Sequence, residues 1–230
     1  MVKTRAFIFA RGGSKGIKGK NLVNFNGHPL IAHSILIAKK ISCIEKIYVS
    51  TDSDQIADVS TKYGVSIIKR PNELATDHSP EWLSWQHAIK NSIENDGHFA
   101  RFISLPTTSP LRIESDIKNC LDALKNSIDI VITATESKRS PWFNMTTIDS
   151  NGLTKLLIDD KSYERRQDTP NSFDLSTVAY VSTPKFILNN NRIWEGNVAT
   201  VLIPPERAID IDNQFDLDFA RFLSTRKNLN

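Results

Sequence analysis

Short apolar, β-prone runs alternate along this chain with longer stretches in which apolar residues recur at helical spacing. The short runs predict strands over residues 5–9, 46–51, 65–69, 101–105, 129–135, 177–181 and 199–203. The longer stretches predict helices over residues 29–40, 53–63, 80–95, 114–126 and 213–224. Because strands and helices alternate, the pattern predicts an α/β fold with a mainly parallel sheet, in a single domain over residues 1–230.

Prolines mark the starts of two predicted helices. Pro29 and Pro80 suit the first helical turn, and Ser79 suits the N-cap position in front of the second of these helices. Trp82 and Trp85 lie at helical spacing with later isoleucines, which indicates core anchors rather than a cofactor site.

The regular pattern loosens between residues 139 and 171. This stretch contains two prolines and an Asn-Gly pair, Asn151-Gly152, between β-prone segments. Such a pair predicts a hairpin turn. We therefore expect a small excursion from the main sheet over residues 139–171.

Length and composition exclude several classes of protein. A chain of 230 residues buries enough apolar surface to need no disulfides, and its two cysteines show no metal-ligand spacing. The apolar run after Arg5 is too short for a signal peptide, and no run approaches the ~18 apolar residues of a membrane span. The net charge of +3 does not imply a nucleic-acid partner. We expect a soluble cytoplasmic protein with neither a membrane nor a nucleic acid as partner.

The loop after the first predicted strand is rich in glycine and in positive charge. Four glycines fall within eight positions, Gly12, Gly13, Gly16 and Gly19, and four cations lie among them or beside them, Arg11, Lys15, Lys18 and Lys20. Glycines let backbone N–H groups approach a ligand closely, and the cations match phosphate oxygens. The spacing fits neither a P-loop nor the dinucleotide G-x-G-x-x-G motif. The residues therefore predict a phosphate-binding loop of unassigned type.

Two acidic pairs are candidate metal ligands. Asp210 and Asp212 alternate on what the pattern predicts to be a short strand, so both carboxylates would face one side and could share Mg²⁺ with substrate phosphates. Asp212 could also cap the last helix. Asp52 and Asp54 form a D-x-D pair of the kind that binds metal in glycosyltransferases, but Asp52 or Ser53 also makes a good helix N-cap, and we favour that capping role.

Five short motifs, in order along the chain, carry a resemblance to one enzyme family. The first motif is R-G-G-S-K-G from Arg11 together with K-N-L at 20–22, and the other four are R-P-N-E-L-A at 70–75, T-S-P-L-R at 108–112, R-Q-D at 166–168 and D-I-D at 210–212. Together they make the chain resemble, over residues 5–222, the acylneuraminate cytidylyltransferases (CMP-sialic acid synthetases) and their bacterial relatives, which include a legionaminic acid-type branch.

This resemblance implies a Rossmann-like nucleotidyltransferase fold, a three-layer sandwich. It also implies an enzyme that uses Mg²⁺ (or Mn²⁺) to join CMP from CTP to a nine-carbon 2-keto sugar acid. The residues it assigns are Arg11, Gly13, Ser14, Lys15 and Lys20 for the phosphates; Asn21, Arg70 and Ser79 for the cytidine; Thr108, Ser109 and Arg166 for the sugar acid; and Asp210 and Asp212 for the metal. Of these, Arg11, Lys15 and Asp212 would act directly in catalysis. The resemblance further implies a homodimer, in which the 139–171 excursion reaches the partner's site.

Two departures from the family pattern fall on the sugar side. The family commonly has Gln before the P-T-S-P-L-R stretch, where this chain has Leu105-Pro106-Thr107-Thr108, and often has Lys in the next loop, where residues 141–145 read P-W-F-N-M. Exchanging polar for apolar groups changes which sugar substituents can be hydrogen-bonded. We therefore hypothesise a modified bacterial nonulosonate, such as a legionaminic-type acid, with N-acetylneuraminate as the alternative.

Two other functions stay open from the sequence. A glycosyltransferase that consumes a nucleotide sugar would use Asp52 and Asp54 as its metal pair, and a non-catalytic module would bind the nucleotide without turnover.

Overall fold

A seven-stranded sheet runs through residues 2–226, the part of the chain that the computed structural model describes. The strands are β1 (Thr4–Phe9), β2 (Asn24–Phe25), β3 (His28–Pro29), β4 (Ile44–Thr51), β5 (Ser66–Lys69), β6 (Arg101–Ser104), β7 (Ile130–Glu136), β8 (Thr146–Ile148), β9 (Thr154–Leu156), β10 (Phe173–Ser182) and β11 (Val198–Leu202). The helices are α1 (Leu30–Lys39), α2 (Asp54–Lys62), α3 (Glu81–Asp96), α4 (Glu114–Ala123), α5 (Pro184–Asn189) and α6 (Gln214–Ser224). Each of the seven strands and five helices predicted from periodicity is present within a few residues, which confirms the α/β fold.

The sheet is mainly parallel, in the order β11-β7-β10-β6-β1-β4-β5. Strands β4 and β6 flank β1 in parallel register, β5 continues beyond β4, and β11 is parallel to β7. Strand β10 is the exception, since it pairs antiparallel with both β6 and β7. The loops that follow β1, β4, β5 and β6 therefore leave at one edge of the sheet, and β10 starts at that same edge.

Helices cover both faces of the sheet, which confirms the predicted three layers. Strand β1 alternates: Ala6 and Ile8 pack with α1, α2 and α4 on one face, while Phe7 packs with α3 and α5 on the other. Trp82 and Trp85 of α3 are buried in this second layer, so their prediction as core anchors is confirmed.

A third, smaller core cluster holds the last helix in place. Leu217 of α6 packs with Phe25, Leu30 and Ile211. The segment just before α6 is thereby fixed near the loop that follows β1, although the two lie at opposite ends of the sequence.

Two helix starts differ from the prediction. Helices α1 and α3 begin at Leu30 and Glu81, so Pro29 and Pro80 lie one position earlier than predicted, outside the first turn. The prediction of Ser79 as N-cap is wrong. Pro80 keeps an extended backbone with ψ at 133°, so it occupies the cap position itself, and the Ser79 hydroxyl makes no hydrogen bond within the described residues.

The predicted strand at Asp210 and Asp212 is also wrong. The segment that contains them has no partner strand in the described part of the chain. A single backbone hydrogen bond, from the Ile211 N–H to the Thr108 carbonyl at 2.9 Å, replaces a ladder.

The excursion between residues 139 and 171 contains the predicted hairpin. Strands β8 and β9 pair antiparallel on either side of Asn151-Gly152, and Gly152 adopts a φ of 80°, which favours glycine. No helix within residues 2–226 combines the length and the apolarity needed to cross a membrane.

Candidate functional site

Two joined cavities open at the edge of the sheet where β1 lies between β4 and β6. The smaller, of about 250 Å³, is lined by the glycine-rich loop, and the larger, of about 340 Å³, by the loops after β5 and β6. They share Phe9, Arg11, Thr107 and Thr108, so they form one cleft. Strand β1 leads to β4 on one side, whereas β6 leads to β7 on the other, so the strand order reverses between β1 and β6. Open α/β sheets bind ligands at such a point.

The smaller cavity gathers most of the residues predicted to bind phosphate. Arg11, Ser14, Lys15 and Lys20 all line it, and Gly13 is exposed in the same loop. Three positively charged side chains and the Ser14 residue therefore line the same small cavity.

Acidic residues from the other end of the chain meet this loop. The Lys20 ammonium donates to the Ile211 carbonyl at 2.7 Å and to Oδ1 of Asp212 at 3.1 Å. A Cβ added at Gly16 would collide with the Asp212 carbonyl oxygen, so glycine is needed there for a close backbone approach. The basic loop and the D-I-D segment thus form one site.

Asp77 forms ion pairs with two cations of the loop, Arg11 and Lys15. Its Oδ1 lies 2.5 Å from Nη1 of Arg11 and its Oδ2 lies 2.7 Å from the Lys15 ammonium. Lys15 and Arg11 hold the pKa of the Asp77 carboxyl below its usual value. Its two oxygens bridge the cations as phosphate oxygens would, so Asp77 would compete with a phosphate chain for Arg11 and Lys15.

A buried framework behind the cleft fixes the loop. The Asn21 amide donates to the Arg11 carbonyl at 3.0 Å and accepts from Thr107 at 2.6 Å. Arg112 is buried and donates to Ser34 at 2.7 Å and to the Pro106 carbonyl; burial lowers the pKa of its guanidinium to about 9. Asn21, predicted to touch cytidine, therefore holds the Arg11 backbone in place with its side chain.

The other predicted cytidine contacts line the larger cavity. Arg70 is buried and donates to the Ser50 hydroxyl at 3.2 Å and to the Ser50 carbonyl at 2.7 Å. Ser79 also lines the cavity, and its hydroxyl has no hydrogen-bond partner among the described residues. Desolvation lowers the pKa of the Arg70 guanidinium.

The residues predicted to bind the sugar acid are divided between two places. Thr108 lines the cleft and Ser109 is buried beside it; both hydroxyls lie near Thr177 of β10, at 3.4 and 2.8 Å. Arg166 lies elsewhere, in a separate cavity of about 240 Å³, where it donates to the Ser137 carbonyl at 2.7 Å. That cavity shares no lining residue with the cleft.

The two carboxylates predicted to bind metal differ in exposure. Asp212 is exposed and lines the smaller cavity, whereas Oδ1 of Asp210 is buried without a hydrogen-bond partner in the described chain. Within residues 2–226 no cluster of three or more His, Cys, Asp or Glu side chains could hold a metal alone. Mg²⁺ needs only one or two carboxylates beside substrate phosphates and water. The donor set therefore fits Mg²⁺ together with a bound triphosphate.

The competing D-x-D pair has other partners. Asp52 accepts from the Gly12 N–H at 3.0 Å, and Asp54 forms an ion pair with Lys69. Ser53 caps α2 by accepting from the Ile56 N–H. The capping interpretation of this segment is therefore confirmed for Ser53.

These features define a class of protein. An α/β sheet with a basic, glycine-rich loop after its first strand, and a cleft at the switch point of strand order, is typical of nucleotide-binding enzymes. The sequence profile of the family described as "Cytidylyltransferase" matches residues 6–200. The chain therefore belongs to the cytidylyltransferase family, which confirms the resemblance, and it is a nucleotidyltransferase.

Two relatives are similar over nearly all of the chain. The CMP-N,N'-diacetyllegionaminic acid synthase of Campylobacter jejuni is 33% identical over 100% of this chain and 98% of its own length. The enzyme of the same name from Legionella pneumophila is 33% identical over 92% of this chain and 91% of its own.

Among solved structures, the chain resembles CMP:2-keto-3-deoxy-manno-octonic acid synthetase in complex with CTP. The TM-score is 0.71 at 16% sequence identity, over 97% of this chain and 98% of that one. At this identity the similarity concerns the fold, and it supports the nucleotidyltransferase architecture.

The sequence missed four residues that shape the site. Asp77 lies in a polar loop without a recognisable signal, and Thr177 and Tyr180 lie on a strand whose antiparallel direction was not predicted. The predicted helix over residues 80–95 includes Glu81, but helical periodicity does not indicate that its side chain lines the larger cavity.

We predict that Asp77→Asn strengthens CTP binding measured by calorimetry without sugar. The substitution removes a carboxylate that competes with phosphate for Arg11 and Lys15, so the Kd should fall by roughly two- to tenfold, given the modest strength of exposed ion pairs. Asp58→Asn, at an exposed position on α2, is the matched control and should leave the Kd unchanged. Weaker CTP binding in Asp77→Asn would show that Asp77 assists the nucleotide instead.

Proposed function

We propose that this chain transfers CMP from CTP to a nine-carbon 2-keto sugar acid and releases pyrophosphate. The observation that carries the proposal is the meeting of the basic loop with the D-I-D segment in one cleft, in a chain of the cytidylyltransferase family. The cations that would bind a triphosphate lie beside the Asp212 carboxylate, which would help to bind its counter-ion.

The reaction requires attack by the anomeric C2 hydroxyl of the sugar on the α-phosphorus of CTP. A bond forms from that oxygen to phosphorus, the bond to the β-phosphate oxygen breaks, and the hydroxyl proton is lost. Arg11, Lys15 and Lys20 would bind the triphosphate and stabilise the charge that develops on the leaving pyrophosphate. Asp77 would leave Arg11 and Lys15 as the phosphates arrive.

Asp210 and Asp212 are the residues that would hold Mg²⁺. When bound, the ion neutralises phosphate charge and can lower the pKa of an attacking hydroxyl. Lys20 donates to Asp212 and to the Ile211 carbonyl, so it would keep the segment oriented toward the phosphates.

The acceptor that we propose is a legionaminic-type acid. Two relatives at 33% identity carry names that specify N,N'-diacetyllegionaminic acid. The apolar residues at the two sugar-side departures from the sialic acid pattern agree with a less polar sugar. Because CTP is the co-substrate, we propose that the reaction takes place in the cytoplasm.

We also propose a homodimer in which the excursion completes the partner's site. Arg166 lies apart from the cleft of its own chain, and the excursion exposes apolar side chains such as Ile148, Leu153 and Leu157. An arginine suits a sugar carboxylate, and exposed apolar side chains suit an interface. Arg166 would then serve the cleft of the partner subunit.

The first prediction concerns the reaction itself. Pyrophosphate release from CTP and Mg²⁺ is measured with N-acetylneuraminate, a legionaminic acid, a pseudaminic acid and the eight-carbon Kdo, with ATP, GTP and UTP as nucleotide controls. We expect release with CTP and the highest kcat/KM with the legionaminic acid. A higher kcat/KM with N-acetylneuraminate would refute the proposed acceptor. CTP binding without release on any sugar would indicate a binding role.

The second prediction concerns the metal ligands. Asp212→Asn should lower kcat at saturating Mg²⁺ by roughly 100-fold, the size of effect that loss of one charge-stabilising contact causes. Asp218→Asn, an exposed position on α6, is the matched control and should keep the wild-type kcat. An unchanged kcat in Asp212→Asn would show that this carboxylate holds no catalytic metal.

The third prediction concerns the shared site. Arg11→Ala and Arg166→Ala should each be nearly inactive. Their mixture, after subunit exchange, should regain about a quarter of wild-type activity, because random pairing in a symmetric dimer makes half the dimers mixed, each with one intact site. Arg11→Ala mixed with Asp212→Asn, both in the same cleft, is the control without rescue. An active monomer in size-exclusion chromatography with light scattering would rule out the shared site.

A further inference from the structure

Glu81 places a carboxylate in the larger cavity, and neither the basic loop nor the proposed metal site uses it. It is the first residue of α3, and it lines the cavity together with Arg70 and Ser79. A role for Glu81 in ligand binding rests on the proposed function only in that the ligand of the cleft is a nucleotide.

The position of the phosphates determines where the nucleoside lies. Arg11 borders both cavities, so a nucleotide whose triphosphate is held in the smaller cavity by Lys15 and Lys20 would extend past Arg11 into the larger one. The larger cavity, of about 340 Å³, is the space beside the phosphates that a nucleoside can fill. Arg70, Ser79 and Glu81 are among the residues that line it.

Arg70 presents a fixed donor to that space. Its Nε and Nη2 are held by Ser50, and its guanidinium lies 5.6 Å from the centre of the Phe9 ring. Within residues 2–226, no hydrogen bond uses Nη1. A guanidinium keeps its charge, so this group is a permanent donor.

Glu81 presents a fixed acceptor beside it. Oε1 accepts from the Trp85 indole N–H at 3.1 Å, one helical turn on, and no hydrogen bond in the described part of the chain uses Oε2. Trp85 is buried in the core, so it anchors the carboxylate to a rigid element. The Ser79 hydroxyl, also without a partner, can act as donor or acceptor by rotation.

This set of groups matches the hydrogen-bonding edge of cytosine. Cytosine presents two acceptors, O2 and N3, and one donor, the exocyclic N4 amino group. Arg70 and Ser79 can donate to the two acceptors, and Glu81 can accept from the amino group. Uracil presents the carbonyl O4 in place of that amino group, and a carboxylate facing a carbonyl oxygen is repelled and left unpaired.

We propose that Glu81 accepts a hydrogen bond from the exocyclic amino group of cytosine and so makes the cleft selective for cytidine over uridine nucleotides. Glu81 is thus a specificity-determining residue of the nucleotide site.

The surroundings of Glu81 agree with this role. Desolvation by the walls of the cleft raises the pKa of its carboxyl although water reaches the side chain; the Trp85 bond and Arg70 oppose that rise, and Asp210 adds to it. A ligand that fills the cavity would displace this water, and the carboxylate would then need a hydrogen-bond donor from the ligand in its place.

The test compares CTP and UTP on wild type, Glu81→Gln and Glu73→Gln. Kd values are measured by calorimetry without sugar, and kcat/KM values by pyrophosphate release with the best acceptor. Wild type should prefer CTP. In Glu81→Gln the ratio of CTP to UTP affinity should fall by roughly 10- to 100-fold, the weight of one hydrogen bond to a charged group. The change should come both from weaker CTP binding and from stronger UTP binding, because the new amide can donate to O4.

Glu73→Gln is the matched control, since Glu73 is exposed nearby and does not line the cavity. It should keep the wild-type ratio. Glu81→Asp retains the acceptor on a shorter side chain, so it should still prefer CTP with a larger Kd, and it serves if Glu81→Gln fails to fold.

Three outcomes would overturn the proposal. They are a wild type that binds both nucleotides equally, a ratio unchanged in Glu81→Gln, and an equal loss of CTP and UTP binding, which would mean a purely structural role. The binding measurement needs no turnover. Failure of the sugar reaction would therefore refute the proposed function, while the nucleotide Kd values would still decide the claim about Glu81.

Discussion

Repulsion among the cations at the end of β1 is the constraint on which the rest of the site depends. Arg11, Lys15 and Lys20 line one small cavity, where carboxylates or a bound anion reduce the repulsion between the like charges. Asp77 pairs with Arg11 and Lys15, and Asp212 pairs with Lys20. Because these acids come from distant parts of the sequence, the charge balance also joins the loop after β5 and the segment before α6 to the loop after β1.

The two neutralising acids differ in what they can do when a triphosphate arrives. Asp77 bridges the cations that the phosphates need, and it lies on an exposed loop, so exchange costs little beyond two exposed ion pairs. Asp212 follows Ile211, which is buried in the α6 cluster, and Gly16 packs on its backbone. Asp77 can therefore move aside while Asp212 stays in place. The space that remains is lined by the cations and bordered by the Asp212 carboxylate.

The fold and the basic loop could be predicted from the sequence, because hydrophobic periodicity indicates the first and the local spacing of glycines and cations indicates the second. Periodicity located all seven sheet strands, but it carries no information on strand direction, so the antiparallel β10 was not foreseen. The hairpin of β2 and β3 was also missed. Asn26 and Gly27 form its turn with positive φ angles, yet its strands have only two residues each, too few for a periodic signal.

The site was harder to predict where a role depends on tertiary contacts. Asn21 and Arg112 belong to recognisable motifs, but only the fold shows that their side chains support the loop backbone. Arg166 was assigned to the sugar, and a single chain does not bring it to the cleft. Asp77 and Glu81 had no motif at all, since their importance comes from which groups they face in three dimensions.

The central claim is that this cleft directs attack to the α-phosphorus of a cytidine triphosphate. Phosphorus NMR of CTP, Mg²⁺ and a legionaminic acid with the protein tests it most directly, because each phosphorus atom is followed separately. We expect the α-phosphorus to become the phosphodiester of a CMP-sugar while pyrophosphate appears in equal amount. The appearance of CDP with a phosphorylated sugar, which means attack at the γ-phosphorus, would contradict it.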